Sequence, residues 1–445
     1  MNKLPDCVLL EMRMAELMAQ QQASGFRFDK DAAVRVKARL GQEADGIETT
    51  IKSLCYAVPG KRFTPKRTTK HNGYVAGAEM TRLEMFNPTS RAHIHWFLTT
   101  SHHEGRPPLI RASDWPKTTD SGKPKVDEAV LSELADSALE DDNAELSALL
   151  KDFINLFTLQ KGMGQLSEGS NSWLNSIEDD GCIHHSCTLS TATGRNAHRG
   201  PNLGQVNSEH WARELFVPHH GDVLVGCDLE GLELRVLGHF LAPYDNGAFA
   251  EVVVNGDIHQ QNADRVGCSR KQVKTLTYAF MYGAGDTKLG HSLQPELSDG
   301  AKKILGAQLR RKFLEAIPGL GPLVEAVKLK VKEKGKLKGL DGRPIHCRAE
   351  HSGLNFLCQS AGAILSKRWV VIGQELLDRE GLIYGEHYKR CAYVHDEVQL
   401  SVKEGYEQLV SEILVEAAPK AGAYYGFRVP ITASAQSGAS WAETH

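Results

Sequence analysis

Two acidic residues far apart in the chain, Asp228 and Asp396, each stand where an apolar run breaks, and Glu397 follows the second directly. Between them Arg270, Lys274, Tyr278 and Tyr282 recur at a spacing of four. Carboxylates on rigid strand ends suit hard divalent cations, which prefer oxygen ligands, so the pair could hold two Mg²⁺ ions. A basic stripe ending in aromatic rings suits a nucleoside triphosphate, charged at one end and carrying a sugar and base at the other. The chemistry these groups fit together is nucleotidyl transfer.

The elements that must position them are legible nearby. Val223-Leu224-Val225-Gly226-Cys227 reads as a buried strand delivering Asp228, and Leu232, Val236, Leu237, Phe240 and Leu241 then follow at helical spacing. The Leu229 carbonyl becomes a further oxygen ligand, and Glu233 falls in the first helical turn. Ala392-Tyr393-Val394 and Val398-Gln399-Leu400-Ser401-Val402 read as a hairpin around His395-Asp396-Glu397. Ser269 with Gln272 three residues on makes a capping box, and Gly283-Ala284-Gly285 supplies a stop, which predicts a helix over 270–282. A step of four advances such a helix by about 6 Å and turns it only about 40° past a full turn, so the stripe drifts slowly around one face.

DLEGLELRVLGHF, NGDIHQQNA, RKQVKTLTYAFMYGAG, GLDGR with LNFLCQSAGA, and VHDEVQ resemble, in order and spacing, the polymerase motifs of the DNA polymerase I family (family A). Within it they resemble those of the T-odd bacteriophage replicative enzymes. TGRNAHRGPNLGQV and the ending GASWAETH extend the resemblance to nearly the whole chain. It implies a primer-dependent DNA polymerase of α+β class, with an antiparallel palm sheet and helical thumb and fingers. By it the catalytic residues are Asp228, Asp396, the accessory acid Glu397 and Lys274, with two Mg²⁺ on Asp228, Leu229 and Asp396 and Mn²⁺ able to substitute. Arg270, Lys274 and His259 contact the triphosphate. Tyr278 lies by the sugar and base, Tyr282 near the templating base, and Glu233 crowds a ribose hydroxyl. Arg195, Gln359 and His395 reach the minor groove of the new pair, whose acceptors are nearly the same for every pair. Asn202, Gln205 and Asn355 are further DNA contacts. Family members with Tyr at the Tyr278 position accept dideoxynucleotides, whereas those with Phe discriminate against them.

Some features depart from the family. Glu230 stands where a small or polar residue is usual, and is read as a surface carboxylate. No paired acidic exonuclease motif is found; Asp45 and Glu48 sit in a charged helical stretch, so proofreading would fall to a separate exonuclease. A helicase is a further expected partner. The phage enzymes capture thioredoxin on a longer thumb insertion than the roughly thirty residues between Cys55 and Phe86, which puts thioredoxin in doubt as processivity factor.

The chain has 445 residues, of which 41% are apolar and 24% charged, ordinary for a globular protein of several domains. No apolar stretch reaches membrane length, and Asp6, Glu11 and Arg13 break the N-terminus too early for a signal peptide, so the expected location is the cytoplasm, the host's if viral. The nine cysteines suit a reducing compartment. Cys182-x-His184-His185-x-Cys187 has the residue types of a zinc site but is expected to be ordinary packing on a palm hairpin. The net charge of −3 hides a partition. Acids cluster over 127–145, Lys61, Arg62, Lys66, Arg67 and Lys70 crowd a loop, and Lys328, Lys330, Lys332, Lys334, Lys336 and Lys338 alternate so that, if extended, they share one face. The domain reading is thumb 1–168, palm 169–240 and 340–445, and fingers 241–339. A single-subunit RNA polymerase is disfavoured by Glu233, and an inactive DNA-binding relative by the intact aspartates, Arg270 and Lys274. A translesion enzyme fits nearly as well as a replicative one.

Overall fold

The computed structural model describes residues 4–71, 73–100, 107–116, 118–119, 122–189, 191–294, 297 and 299–445. At its centre lies a four-stranded antiparallel sheet, in the order Tyr388–Val394, Glu397–Lys403, Asp222–Leu229, Ala433–Gly438. The strand Asp222–Leu229 is buried on both faces from Leu224 to Cys227, which is why it reads as an unbroken apolar run rather than an alternating one. Gly226 is required there. A Cβ at that position would collide with the carbonyl oxygen of Thr444 and the side chain of Gln399, so the missing side chain makes room for the C-terminal residues.

Helix Gly353–Arg379 and helix Glu407–Tyr424 pack together against this sheet and share its apolar core. Helix Leu232–Asp245 follows the central strand after Gly231, whose φ of 56° lets the chain reverse. The basic helix spans Arg270–Met281 with its capping box formed: Ser269 accepts from the Gln272 backbone, and the Gln272 side chain returns the bond. Tyr282 caps the helix and Gly283 takes a φ of 73°, as the sequence predicts.

The chain divides into two compact units, residues 1–34 with 167–445, and residues 35–166. The second has its own core, in which Leu146, Leu150 and Phe153 of helix Ala144–Ser167 meet Phe97 and Ile51. Residues Asp6–Ser24, expected to belong to the thumb, pack instead in the first unit. The decisive contacts are long-range: Lys367 Nζ lies 2.9 and 2.7 Å from the two Glu11 oxygens, Arg343 lies 2.7 Å from Glu11, and Arg368 lies 2.7 Å from Asp6.

Two sequence expectations about basic segments need correction. Residues 328–334 are not extended. They end the helix Leu320–Lys334, because Leu323, Val327 and Val331 recur at helical spacing and are buried, and only Lys336 and Lys338 lie on a strand with both side chains outward. Lys61 and Arg62 are not in a loop but on the strand Ala57–Phe63, which pairs with Met80–Met85; Lys66, Arg67 and Lys70 lie in the connection. A third concerns Cys182 and Cys187. They lie on strands that pair with different partners, Phe26–Arg27 and Ala197–Arg199, so no hairpin joins them.

Candidate active site

Asp228 sits near the end of the central strand, directly opposite Glu397 in the antiparallel register. The hairpin tip is His395 and Asp396, with His395 at a φ of 60°. The Leu229 N–H donates to the Asp396 carbonyl at 3.0 Å, pinning the tip to the strand end. Burial, followed by the charges of Asp396 and Glu397, pushes Asp228 up to about 7. Burial and then Glu233 push Asp396 up to about 6, against the pull of Arg195. Two crowded, partly desolvated carboxylates with nearby hard oxygens fit divalent cations, since bound positive charge would relieve the repulsion that now favours protonation.

Glu397 behaves differently. Burial would raise it, but hydrogen bonds from His445 (2.9 Å), Gln399 (2.7 Å) and the Trp441 indole hold it below the ordinary carboxylate range. His445 is raised in turn, chiefly by its bond to Glu397. These C-terminal partners were missed from the sequence, although GASWAETH was the signal. Glu230 turns aside, accepting from the Thr432 hydroxyl at 2.7 Å, and lies exposed as expected.

The elevated pair has a consequence for stability. Protons bind Asp228 and Asp396 more tightly in the folded than in the unfolded chain, so between pH 4 and 7 the contribution of this pair to the stability of the cation-free protein falls as pH rises. Discounted for partial exposure, the loss is of the order of 1–2 kcal/mol. Without divalent ions, the Tm of Asp228→Asn relative to wild type should therefore increase as pH rises from 4 to 7, and adding Mg²⁺ at pH 7.5 should raise the wild-type Tm. Thermal denaturation of both proteins checks this; identical pH slopes would contradict it.

On the basic helix, Arg270 and Lys274 are exposed and Tyr278 is half-buried. Arg270 Nε donates to Asp257 Oδ2 at 2.7 Å. His259 packs 6.0 Å from the Tyr278 ring, and burial, then Arg270 and Lys274, lower its proton affinity. Burial raises the Tyr278 phenol, and the charges of Glu233 and Asp396 raise it further, so this face of the helix is turned toward the acidic site. One cavity is lined by Arg195, Glu233, Tyr282, Asn355, Gln359, His395 and Asp396. Within it Glu233 accepts a short hydrogen bond from the Tyr282 hydroxyl and lies 3.5 Å from Arg195. Asn202 and Gln205 do not line it; both are exposed at the ends of a short turn around the buried Leu203, where Asn202 caps the backbone of Gly204.

The sequence profile described as DNA polymerase family A matches residues 68–443. The chain belongs to DNA polymerase family A. It is 32% identical to the DNA-directed DNA polymerases of Enterobacteria phage T3 and Escherichia phage T7, over 99% of this chain and 70% of each relative. The polymerase domain of Pol1 from M. smegmatis, solved in complex with DNA primer-template and dNTP, superimposes with a TM-score of 0.74 at 19% identity, covering 98% of this chain and 70% of that one. The family A enzyme thus has the right-hand α+β polymerase fold, and it is a DNA-directed DNA polymerase. Among the described residues, no helix is long and apolar enough to cross a membrane.

Proposed function

We propose that this family A polymerase extends a primer on a DNA template by two-cation nucleotidyl transfer centred on Asp228 and Asp396. The observation that carries the proposal is the convergence of the two aspartates on one end of the sheet, with Glu233 and Tyr278 turned toward them. Asp228, Asp396 and the Leu229 carbonyl would hold two Mg²⁺, which when bound neutralise the triphosphate and lower the proton affinity of the primer hydroxyl. Arg270 and Lys274 bind the triphosphate electrostatically. Asp257 orients Arg270 through Nε, leaving its two terminal nitrogens to fork onto phosphate oxygens. His259 stays neutral beside them and donates a hydrogen bond rather than a charge.

Glu233 selects the sugar by crowding a ribose hydroxyl, with Tyr282 and Arg195 fixing its carboxylate. Glu233→Ala should raise ribonucleotide incorporation relative to deoxynucleotide incorporation by roughly tenfold, about 1.4 kcal/mol of barrier. Primer extension with each nucleotide type measures this, and unchanged selectivity would show that Glu233 does not act on the sugar. Arg195, Asn355, Gln359 and His395 line the base-pair cavity, while Asn202 and Gln205 touch DNA outside it.

We assign residues 35–166 to the thumb and 241–339 to the fingers, with the rest as palm. The strand pair Ala57–Phe63 and Met80–Met85, with its basic connection, contacts the DNA backbone or a processivity factor other than thioredoxin. We further propose that this chain does not proofread, and that a separate exonuclease and a helicase are its partners. In support, Glu48 is spent on an ion pair with Lys52 at 2.6 Å along helix Lys30–Leu54, beside Asp45. A mismatched primer incubated with Mg²⁺ and no nucleotide should keep its length; shortening that persists in Asp228→Ala would reveal a nuclease site.

A further inference from the structure

Strands Ser186–Thr188 and Ala197–Arg199 pair with Cys187 opposite His198. His185 lies two residues before Cys187, and the two-residue period of extended chain puts it on the same face. One donor atom from each of His185, Cys187 and His198 lies within 4.8 Å of the others. Among the described residues this is the one group of three His, Cys, Asp or Glu side chains gathered so closely. Cys187 Sγ is 3.4 Å from His198 Nδ1, inside the roughly 3.3–3.6 Å between ligands that tetrahedral Zn–N and Zn–S bond lengths require. The buried Gln21 amide lies 2.9 Å from His185 Nε2 and 3.6 Å from Cys187 Sγ. Its nitrogen and oxygen exchange by a half-turn, so it can present an oxygen as fourth ligand. The ring nitrogens turned toward the cluster are His198 Nδ1, beside Cys187, and His185 Nε2, beside Gln21.

From this geometry we propose that His185, Cys187 and His198 bind one Zn²⁺ or a similar borderline divalent cation, closed by Gln21. Burial keeps both imidazoles in the neutral, ligating form, with His185 lowered to about 3 and His198 to about 4. It also keeps Cys187 a thiol, raised to about 11, so binding expels that proton to solvent. Cys182 and His184, which share the sequence motif, are not part of the site. His184 is bonded to Asp180 at 3.0 Å and to the Gln22 carbonyl at 2.7 Å. His198 lies against the backbone of Tyr393, in the strand that leads to Asp396. The cation therefore braces the N-terminal helix against the strand just before the hairpin tip, a structural role separate from the Mg²⁺ site.

The test titrates the full chain, stripped of metal, with Co²⁺ and then Zn²⁺ in excess Mg²⁺. Cys358 lines the cavity that holds Asp396 and Cys227 precedes Asp228, so loss of a thiolate-to-cobalt charge-transfer band in Cys187→Ser is what assigns the band to the proposed site. We expect the band to saturate at about one Co²⁺ per chain, to be displaced by Zn²⁺, to vanish in Cys187→Ser and to persist in Cys182→Ser. Gln21→Ala should weaken affinity about 10–100-fold while keeping the band. A wild-type chain with no such band overturns the proposal whatever the variants do, as does a band that survives in folded Cys187→Ser.

Discussion

Asp228→Ala or Asp396→Ala should lower Mg²⁺-dependent primer extension by more than about a hundredfold, roughly 2.7 kcal/mol of barrier, while primer-template binding stays near wild type. Each substitution removes one of the two carboxylates that the hairpin tip and central strand bring together, and stabilisation of developing oxyanion charge by bound cations is worth several kcal/mol. Binding should survive because it rests on basic and polar groups spread elsewhere over the molecule. The metal-free fold should survive too. Removing one carboxylate relieves the repulsion that raises the other, so the variants should be no less thermally stable than wild type. Rapid-quench extension and a parallel gel-shift titration measure the two effects. A variant retaining more than about a hundredth of the rate would remove that residue from the chemistry.

Tyr278→Phe should reduce dideoxynucleotide incorporation at least about tenfold and leave normal nucleotides little changed. The Tyr278 ring is half-buried beside His259, and its phenol is raised by burial and then by the charges of Glu233 and Asp396. The expected size follows if the phenol takes over a contact near the triphosphate when a nucleotide lacks its 3′-hydroxyl, since a hydrogen bond to a charged group is worth about 1.5–3 kcal/mol. Single-turnover incorporation of both nucleotide types by the two proteins checks this. Equal discrimination would show that the phenol does not face the sugar.

The basic helix was readable because every local signal agreed: a capping box, a glycine stop, and Val273, Leu276, Thr277 and Phe280 turned inward opposite the polar stripe. The central strand was equally plain, being apolar up to Asp228. Where two periods competed the reading failed. Alternating lysines over 328–338 suggest a strand, but the buried Val327 and Val331 decide for helix, since burial of apolar area outweighs the placing of solvated charges. Long-range pairing left no local trace. Nothing near Glu11 announces Lys367 and Arg343, the partners that hold the N-terminal helix in the first unit. Nor does the Cys182–Cys187 segment point to His198, which joins His185 and Cys187 only across the strand pair. The commitment of Glu397 to Trp441 and His445 likewise depends on the sheet bringing the C-terminus beside it.

The most direct test of the account is single-nucleotide incorporation on a primed DNA template, offering the four deoxynucleotides one at a time with Mg²⁺ to the wild-type chain and to Asp228→Ala/Asp396→Ala. The wild type should rapidly add only the nucleotide complementary to the template, release one pyrophosphate for each and need a primer 3′-hydroxyl, and the double variant should add none on the same timescale. Addition that ignored the template, or that continued undiminished without the two aspartates, would contradict it.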